Sequence, residues 1–274
     1  MTRPVRLGAV SYLNVRPLVY GLDAHPDEVV LRFDVPSVCA DLLEAGAIDL
    51  GMVPSVAHVD RPGDAVVPGV CIGSEGPVAS VALFSRVPVR DIRRLALDTS
   101  SRTSVALIRI LCARRFGIAP AFVPQPPDLP AMLAEADAGL LIGDPALFVD
   151  PAACGASKID LGAEWTAMTG LPFVWAFWAG RPDAADAVTV RLLGEAAETG
   201  MAHSDEVADA YCAGAPEWQA LARRYLREHL RFRLDDRAVA GLQTYYREAA
   251  ALGLAPPPRP LRFFPDAAAH WEAI

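Results

Sequence analysis

The chain has 274 residues, 53% of them hydrophobic, and carries 25 Lys and Arg against 33 Asp and Glu for a formal net charge of -8. That much apolar sequence can bury the cores of two lobes, while the acidic balance excludes the broad basic field that a nucleic-acid or anionic-membrane surface needs. Apolar runs such as 171–179 reach about half of the roughly 20 residues that a bilayer crossing takes, so no transmembrane span is expected.

The segment Met1-Thr2-Arg3-Pro4-Val5-Arg6 runs directly into apolar sequence and leaves no room for the core of a signal peptide, which predicts a cytoplasmic protein. Strands are expected at 5–10, 29–34, 50–53, 78–84, 95–97, 121–123, 140–142 and 173–178. With helical patterns between them, such as 37–44 capped by Ser37 and 103–116 stopped by Gly117, they predict α/β layers around largely parallel sheets. After Arg181 the texture becomes helical and Ala-rich, with helices expected at 183–201, 204–213, 216–230 and 235–252 before the Pro256-Pro257-Pro258 exit. Composition shifts at 85–90 and 178–182 place one lobe at 1–87 plus 179–274 and a second at 88–178. Two crossings between lobes predict a hinge and an inter-lobe cleft, a preferred place for a ligand.

The stretch Gly8-Ala9-Val10-Ser11-Tyr12-Leu13-Asn14-Val15-Arg16-Pro17-Leu18 carries an apolar strand into hydrogen-bonding side chains. Polar residues just past the carboxyl end of a strand are placed to bind a small anion, and Ser11 and Asn14 line such a site. Val53-Pro54-Ser55 repeats the arrangement, with N-capping by Ser55 as the alternative. In Ser74-Glu75-Gly76-Pro77-Val78-Ala79-Ser80-Val81, Ser80 interrupts an apolar run, as either a satisfied core serine or a donor to a ligand. Leu97-Asp98-Thr99-Ser100-Ser101-Arg102-Thr103-Ser104 ends a strand in hydroxyls before a helix, and Ser101, Thr103 and Ser104 suit a carboxylate; N-capping would account for one of these hydroxyls. Asp144 followed by Pro145 reads as a helix N-cap with an N1 proline, or else as an acid-base or substrate contact at the rim.

Five scattered histidines (His25, His58, His203, His229, His270) and five widely spaced cysteines (Cys39, Cys71, Cys112, Cys154, Cys212) show no metal-ligand spacing, and P-loop, GxGxxG and GxSxG motifs are absent. No metal and no cofactor are therefore expected. Trp165, Trp175 and Trp178 could wall a pocket or pack in a core.

In combination these blocks resemble the chorismate dehydratase family of the futalosine route to menaquinone. The carriers are Ser11-Tyr12-Leu13-Asn14 with Pro17, Asp49 with Val53-Pro54-Ser55, Gly76-Pro77-Val78 with Ser80-Val81, the Ser100–Ser104 hydroxyls, Ile142-Gly143-Asp144, Asp160-Leu161-Gly162 through Trp165, and Thr169-Gly170-Leu171-Pro172-Phe173-Val174. The resemblance implies a two-lobed, type 2 periplasmic-binding-protein-like fold used as a lyase. It implies dehydration of chorismate, a dicarboxylate, to 3-[(1-carboxyvinyl)oxy]benzoate. On that basis Asn14 and Ser80 would orient the substrate so that its own side-chain carboxylate takes the ring proton, with Asp144 as an alternative base. Ser11, Ser55, Ser101, Thr103, Ser104 and Asp144 would bind substrate. The rival readings are a 1,4-dihydroxy-6-naphthoate synthase and a non-catalytic binder of a small carboxylate.

Overall fold

Two helix-covered sheets meet across a cleft in the computed structural model, which describes residues 3–265; Met1, Thr2 and His270 lie outside the described residues. The chain first lays down β1 (Val5–Val10), β2 (Val29–Asp34), β3 (Leu50–Pro54), β4 (Ala65–Val66) and β5 (Gly69–Ser74). It crosses to build β6 (Val81–Ser85), β7 (Arg94–Asp98), β8 (Ala121–Gln125), β9 (Ala138–Ile142) and β10 (Ser157–Asp160), then returns with β11 (Phe173–Gly180) and later adds β12 (Arg231–Leu234). Connecting helices are α1 (Pro36–Glu44), α2 (Thr103–Leu111), α3 (Leu129–Glu135), α4 (Gly143–Phe148) and α5 (Leu161–Thr169). The C-terminal region holds α6 (Ala187–Ala202), α7 (Ser204–Tyr211), α8 (Gln219–Arg224) and α9 (Asp236–Ala251).

The first sheet is ordered β12-β5-β11-β3-β1-β2 with β4 beside β11, and the second β10-β6-β9-β7-β8. β1 is parallel to β2 and β3, and β7 to β8 and β9. The first strand made after each crossing runs the other way: β6 is antiparallel to β9, and β11 to β3 and β5. This pairing moves both lobe boundaries from those expected. The crossings lie at 75–80 and 170–172, so β6 belongs to the second lobe and β11 to the first. Both strands are buried along their whole length, and an all-apolar strand reports that it is covered on two faces without reporting which sheet covers it.

Local chemistry explains the other differences. Pro36 occupies the first turn of α1, so Ser37 lies inside the helix and caps nothing. α2 continues through a π turn, Cys112–Phe116, to Gly117 at φ +66°. The expected helix at 216–230 divides into a 3-10 turn (Pro216–Trp218), α8 and a π turn (Tyr225–His229). β12 escaped notice because its alternation of exposed and buried residues lasts only four positions within a helical texture. Trp165 and Trp178 are fully buried in the core.

α9 ties the two lobes together. Its adjacent phenols donate in different directions, Tyr245 Oη to Thr103 O at 2.9 Å in the second lobe and Tyr246 Oη to Ser55 O at 2.6 Å in the first.

At the far end of β1, buried Asp49 accepts hydrogen bonds from Arg3 at 2.7 and 2.8 Å and from the Arg6 guanidinium and backbone N–H at 2.9–3.0 Å. These donors, Arg3 foremost, hold the carboxyl well below its ordinary value of 3.8 against the opposing effect of burial. Because the folded-state pKa is depressed, the pairing stabilises the fold above pH 3.8 and its contribution is lost as pH falls below that value. Asp49→Asn is therefore expected to lower the melting temperature at neutral pH, with the deficit shrinking below about pH 4, as paired thermal melts across that range would record.

Candidate functional site

The carboxyl ends of β1 and β3 in the first lobe face the carboxyl ends of β7 and β9 and the amino end of β6 in the second lobe across the cleft. A cavity of about 60 Å³ there is walled by apolar groups, including Trp175, and by the polar side chains of Tyr12, Asn14, Ser80, Ser101, Thr103 and Ser104. Among the described residues no Asp, Glu, His, Lys or Arg lines it. A wider open groove of about 940 Å³ lies elsewhere, along α6, α7 and β12, and contains none of these residues.

On the first-lobe wall, Ser11 N–H donates to Asp34 O at 3.0 Å and prolongs the β1–β2 ladder by one residue. The chain then turns into a 3-10 helix, Leu13–Val19, which carries Asn14 in its first turn. Asn14 Oδ1 is buried and has no hydrogen-bond partner among the described residues. Tyr12 packs on the backbone of Gly143 in the other lobe. A Cβ on Gly143 would lie 2.5 Å from the Tyr12 ring, and its φ of +62° already favours glycine.

Ser80 is presented by the first crossing segment. Ala79 sits at φ +63°, a left-handed conformation that costs a side-chain-bearing residue about 1–2 kcal/mol. Asp160 holds it there: the carboxylate accepts from Val78 N–H at 3.0 Å, from Ala79 N–H at 2.6 Å, and from Ala163 N–H at 3.0 Å as the cap of α5. Ser80 Oγ then accepts a hydrogen bond from the buried Tyr225 hydroxyl at 2.7 Å.

The second-lobe wall is organised by Asp98, fully buried at the end of β7. Its carboxylate accepts from Ser100 N–H at 2.8 Å, Ser100 O–H at 2.6 Å and Ile142 N–H at 3.3 Å, while burial pushes its pKa up. Ser101 Oγ accepts from Ser104 N–H at 3.1 Å, so Ser101 supplies the capping interaction at the start of α2. Thr103 Oγ1 reaches the first lobe, accepting from Val56 N–H at 3.3 Å.

Asn14, Ser80, Ser101, Thr103 and Ser104 thus share one cavity, whereas three residues expected to bind substrate do not line it. Ser55 is a core serine, donating to Val174 O at 2.8 Å. Ser11 contributes its carbonyl to the scaffold, where it accepts from Arg16 Nη2 at 3.2 Å, with the Tyr211 hydroxyl, whose hydrogen goes to Asp144, also 3.2 Å away. Asp144 does not cap α4, because the helix begins one residue earlier at Gly143. Its carboxylate accepts from Leu13 N–H at 3.1 Å and from the Tyr211 hydroxyl. Asp144 therefore joins the lobes beside Asn14. Since both oxygens are occupied, Asp144→Asn is expected to keep turnover within about tenfold of wild type; loss of a general base costs about 10²–10⁴-fold. Steady-state rates of the variant decide the matter.

Comparison with known proteins agrees with the two-lobed fold. Among solved structures, a protein of Archaeoglobus fulgidus superposes with a TM-score of 0.75 at 18% identity, covering 92% of this chain and 98% of that one. The alkanesulfonate-binding protein of Xanthomonas axonopodis pv. citri does so with a TM-score of 0.66 at 17% identity, covering 93% and 96%. The fold is periplasmic-binding-protein-like. A chorismate dehydratase of Thermus thermophilus is 32% identical, over 96% of this chain and all of that protein. A family model described as menaquinone biosynthesis matches residues 5–251. The chain belongs to the menaquinone biosynthesis family. The match reaches α9, so the C-terminal helices are part of the architecture of this menaquinone-biosynthesis family. Tyr12, inside the Ser11–Asn14 block, also lines the cavity, and Tyr225 has no local sequence signal because its partner lies 145 residues away.

Proposed function

We propose that this protein is a chorismate dehydratase, a hydro-lyase that converts chorismate to 3-[(1-carboxyvinyl)oxy]benzoate and water in the futalosine route to menaquinone in the cytoplasm. The observation that carries this reading is the 32% identity with the Thermus thermophilus enzyme, over 96% of this chain and all of that protein. In the reaction, a proton leaves the ring carbon bearing the enolpyruvyl ether and hydroxide leaves the neighbouring carbon. The electron pair of the broken C–H bond becomes a ring double bond, proton and hydroxide depart as water, and aromatisation drives the conversion.

The cavity wall supports a particular division of labour. It offers hydrogen-bonding groups and no ionisable base of ordinary strength, which fits a substrate that supplies its own base. Asn14 and Ser80 orient the enolpyruvyl carboxylate toward the ring proton, and such positioning of an internal base can supply several kcal/mol. Ser101, Thr103, Ser104 and the first turn of α2 receive the ring carboxylate, with about 0.3–1 kcal/mol from the helix dipole. A cavity of about 60 Å³ is far below the roughly 300–1,000 Å³ of most small-molecule sites. The lobes accordingly part to admit substrate and close over it, excluding water.

Incubation of the purified protein with chorismate, followed by absorbance and mass spectrometry, tests the proposal. An aromatic product lighter by one water is expected. Binding without conversion would mark a solute-binding protein, and indifference to chorismate would favour a naphthoate synthase.

A further inference from the structure

We infer that Tyr225 is a positioning residue of this site, whose hydroxyl fixes Ser80 as a hydrogen-bond donor toward the substrate. The inference rests on the proposed reading in which Ser80 faces chorismate.

Tyr225 and Ser80 are both buried, 1% and 2% exposed, and their oxygens are 2.7 Å apart. A phenol is a stronger acid than an aliphatic alcohol, so the phenolic hydrogen occupies the short contact and Ser80 Oγ accepts it. A serine hydroxyl has a single hydrogen of its own. With its oxygen engaged by Tyr225 and its side chain on the cavity wall, Ser80 directs that hydrogen into the cleft. Tyr225 thereby removes the rotational freedom that would let Ser80 act as acceptor in one molecule and donor in the next.

The scaffold supports this role. Tyr225 opens the π turn Tyr225–His229, and the other end of that turn is joined to the same crossing segment, His229 Nδ1 lying 3.2 Å from Pro77 O. The segment that presents Ser80 is thus held from one side by Asp160 and from the other by this turn. Burial pushes the phenol's pKa up, so it remains protonated and able to donate. The Asn14 side chain lines the same cavity as Ser80, and its Oδ1 has no hydrogen-bond partner among the described residues. Tyr225 therefore stands behind Ser80 and leaves it a donor toward the substrate carboxylate.

The test is a double-mutant cycle on chorismate turnover with wild type, Ser80→Ala, Tyr225→Phe and the double variant. Tyr225→Phe is expected to lower kcat by about tenfold or more with KM within about twofold, because the interaction lost matters most in the transition state. The double variant is expected to be no slower than Ser80→Ala, since Tyr225 acts through Ser80. Wild-type kcat in Tyr225→Phe overturns the inference alone, as do multiplicative losses in the double variant. Full activity of Ser80→Ala, or failure of the wild-type protein to convert chorismate, overturns the proposed role of Ser80 and this inference with it. If Tyr225→Phe melts below assay temperature, 3-fluorotyrosine at position 225 replaces it. This phenol is a stronger donor of nearly unchanged shape, so kcat should shift with its acidity; an unchanged kcat overturns the inference.

Discussion

Asn14→Ala is expected to lower chorismate turnover by about 10²–10³-fold, the range found when a single preorganised polar group is removed from an active site, while the fold stays intact. The buried Oδ1 of Asn14 makes no hydrogen bond among the described residues, so its loss leaves no donor in the structure unsatisfied. The deleted atoms border a cavity, where substrate or water takes their place. A core truncation of similar size would instead show its cost in stability. Steady-state kinetics and a thermal melt separate the two effects, and near-normal dehydration by the variant would overturn the assignment of Asn14. Asn14→Asp sharpens the test. Its shape is retained, but it sets a negative charge beside a dianionic substrate, so KM is expected to rise as well as kcat to fall.

Asp160→Ala is expected to damage stability and turnover together. The carboxylate satisfies Val78, Ala79 and Ala163 N–H groups. Loss of the α5 cap costs about 1 kcal/mol, and orphaning two partly buried amides adds about 1–2 kcal/mol after partial rescue by water. A total of about 2–3 kcal/mol in a chain of this size corresponds to a fall of roughly 5–10 °C in melting temperature. Once released, the left-handed Ala79 can relax, and the following residue, Ser80, then loses its aim. Asp160→Asn retains one acceptor oxygen and should fall between wild type and alanine on both measurements. Unchanged melting and unchanged kcat in Asp160→Ala would show that the crossing turn holds itself.

How far the site was legible follows from the range of the interactions involved. Ser101 and Ser104 could be read together because a strand end, a hydroxyl and a helix start fall within a few residues. Ser11 and Asn14 looked equivalent in the sequence. Ser11 prolongs the β1–β2 ladder, however, whereas Asn14 lies three residues on in the first turn of the 3-10 helix, which sets its side chain on the cavity wall. Ser55 has the same strand-end setting, but its hydroxyl is claimed by Val174 on β11, a strand laid down more than a hundred residues later. Asp144 carried the local mark of a cap, and a shift of one residue in the start of α4 freed it to join Leu13 and Tyr211 instead.

Apolar periodicity and turn chemistry by themselves determined the α/β layers, the bounds of β1 and β2 and the hydroxyl-rich character of the cleft, because each depends on neighbours within about ten residues. Only the tertiary structure decided that β6 and β11 exchange lobes, that Asp144 joins the lobes, and that Tyr225 stands behind Ser80. Those outcomes depend on contacts spanning roughly fifty to two hundred residues, and a local pattern carries no information about which distant donor will arrive to satisfy a buried acceptor.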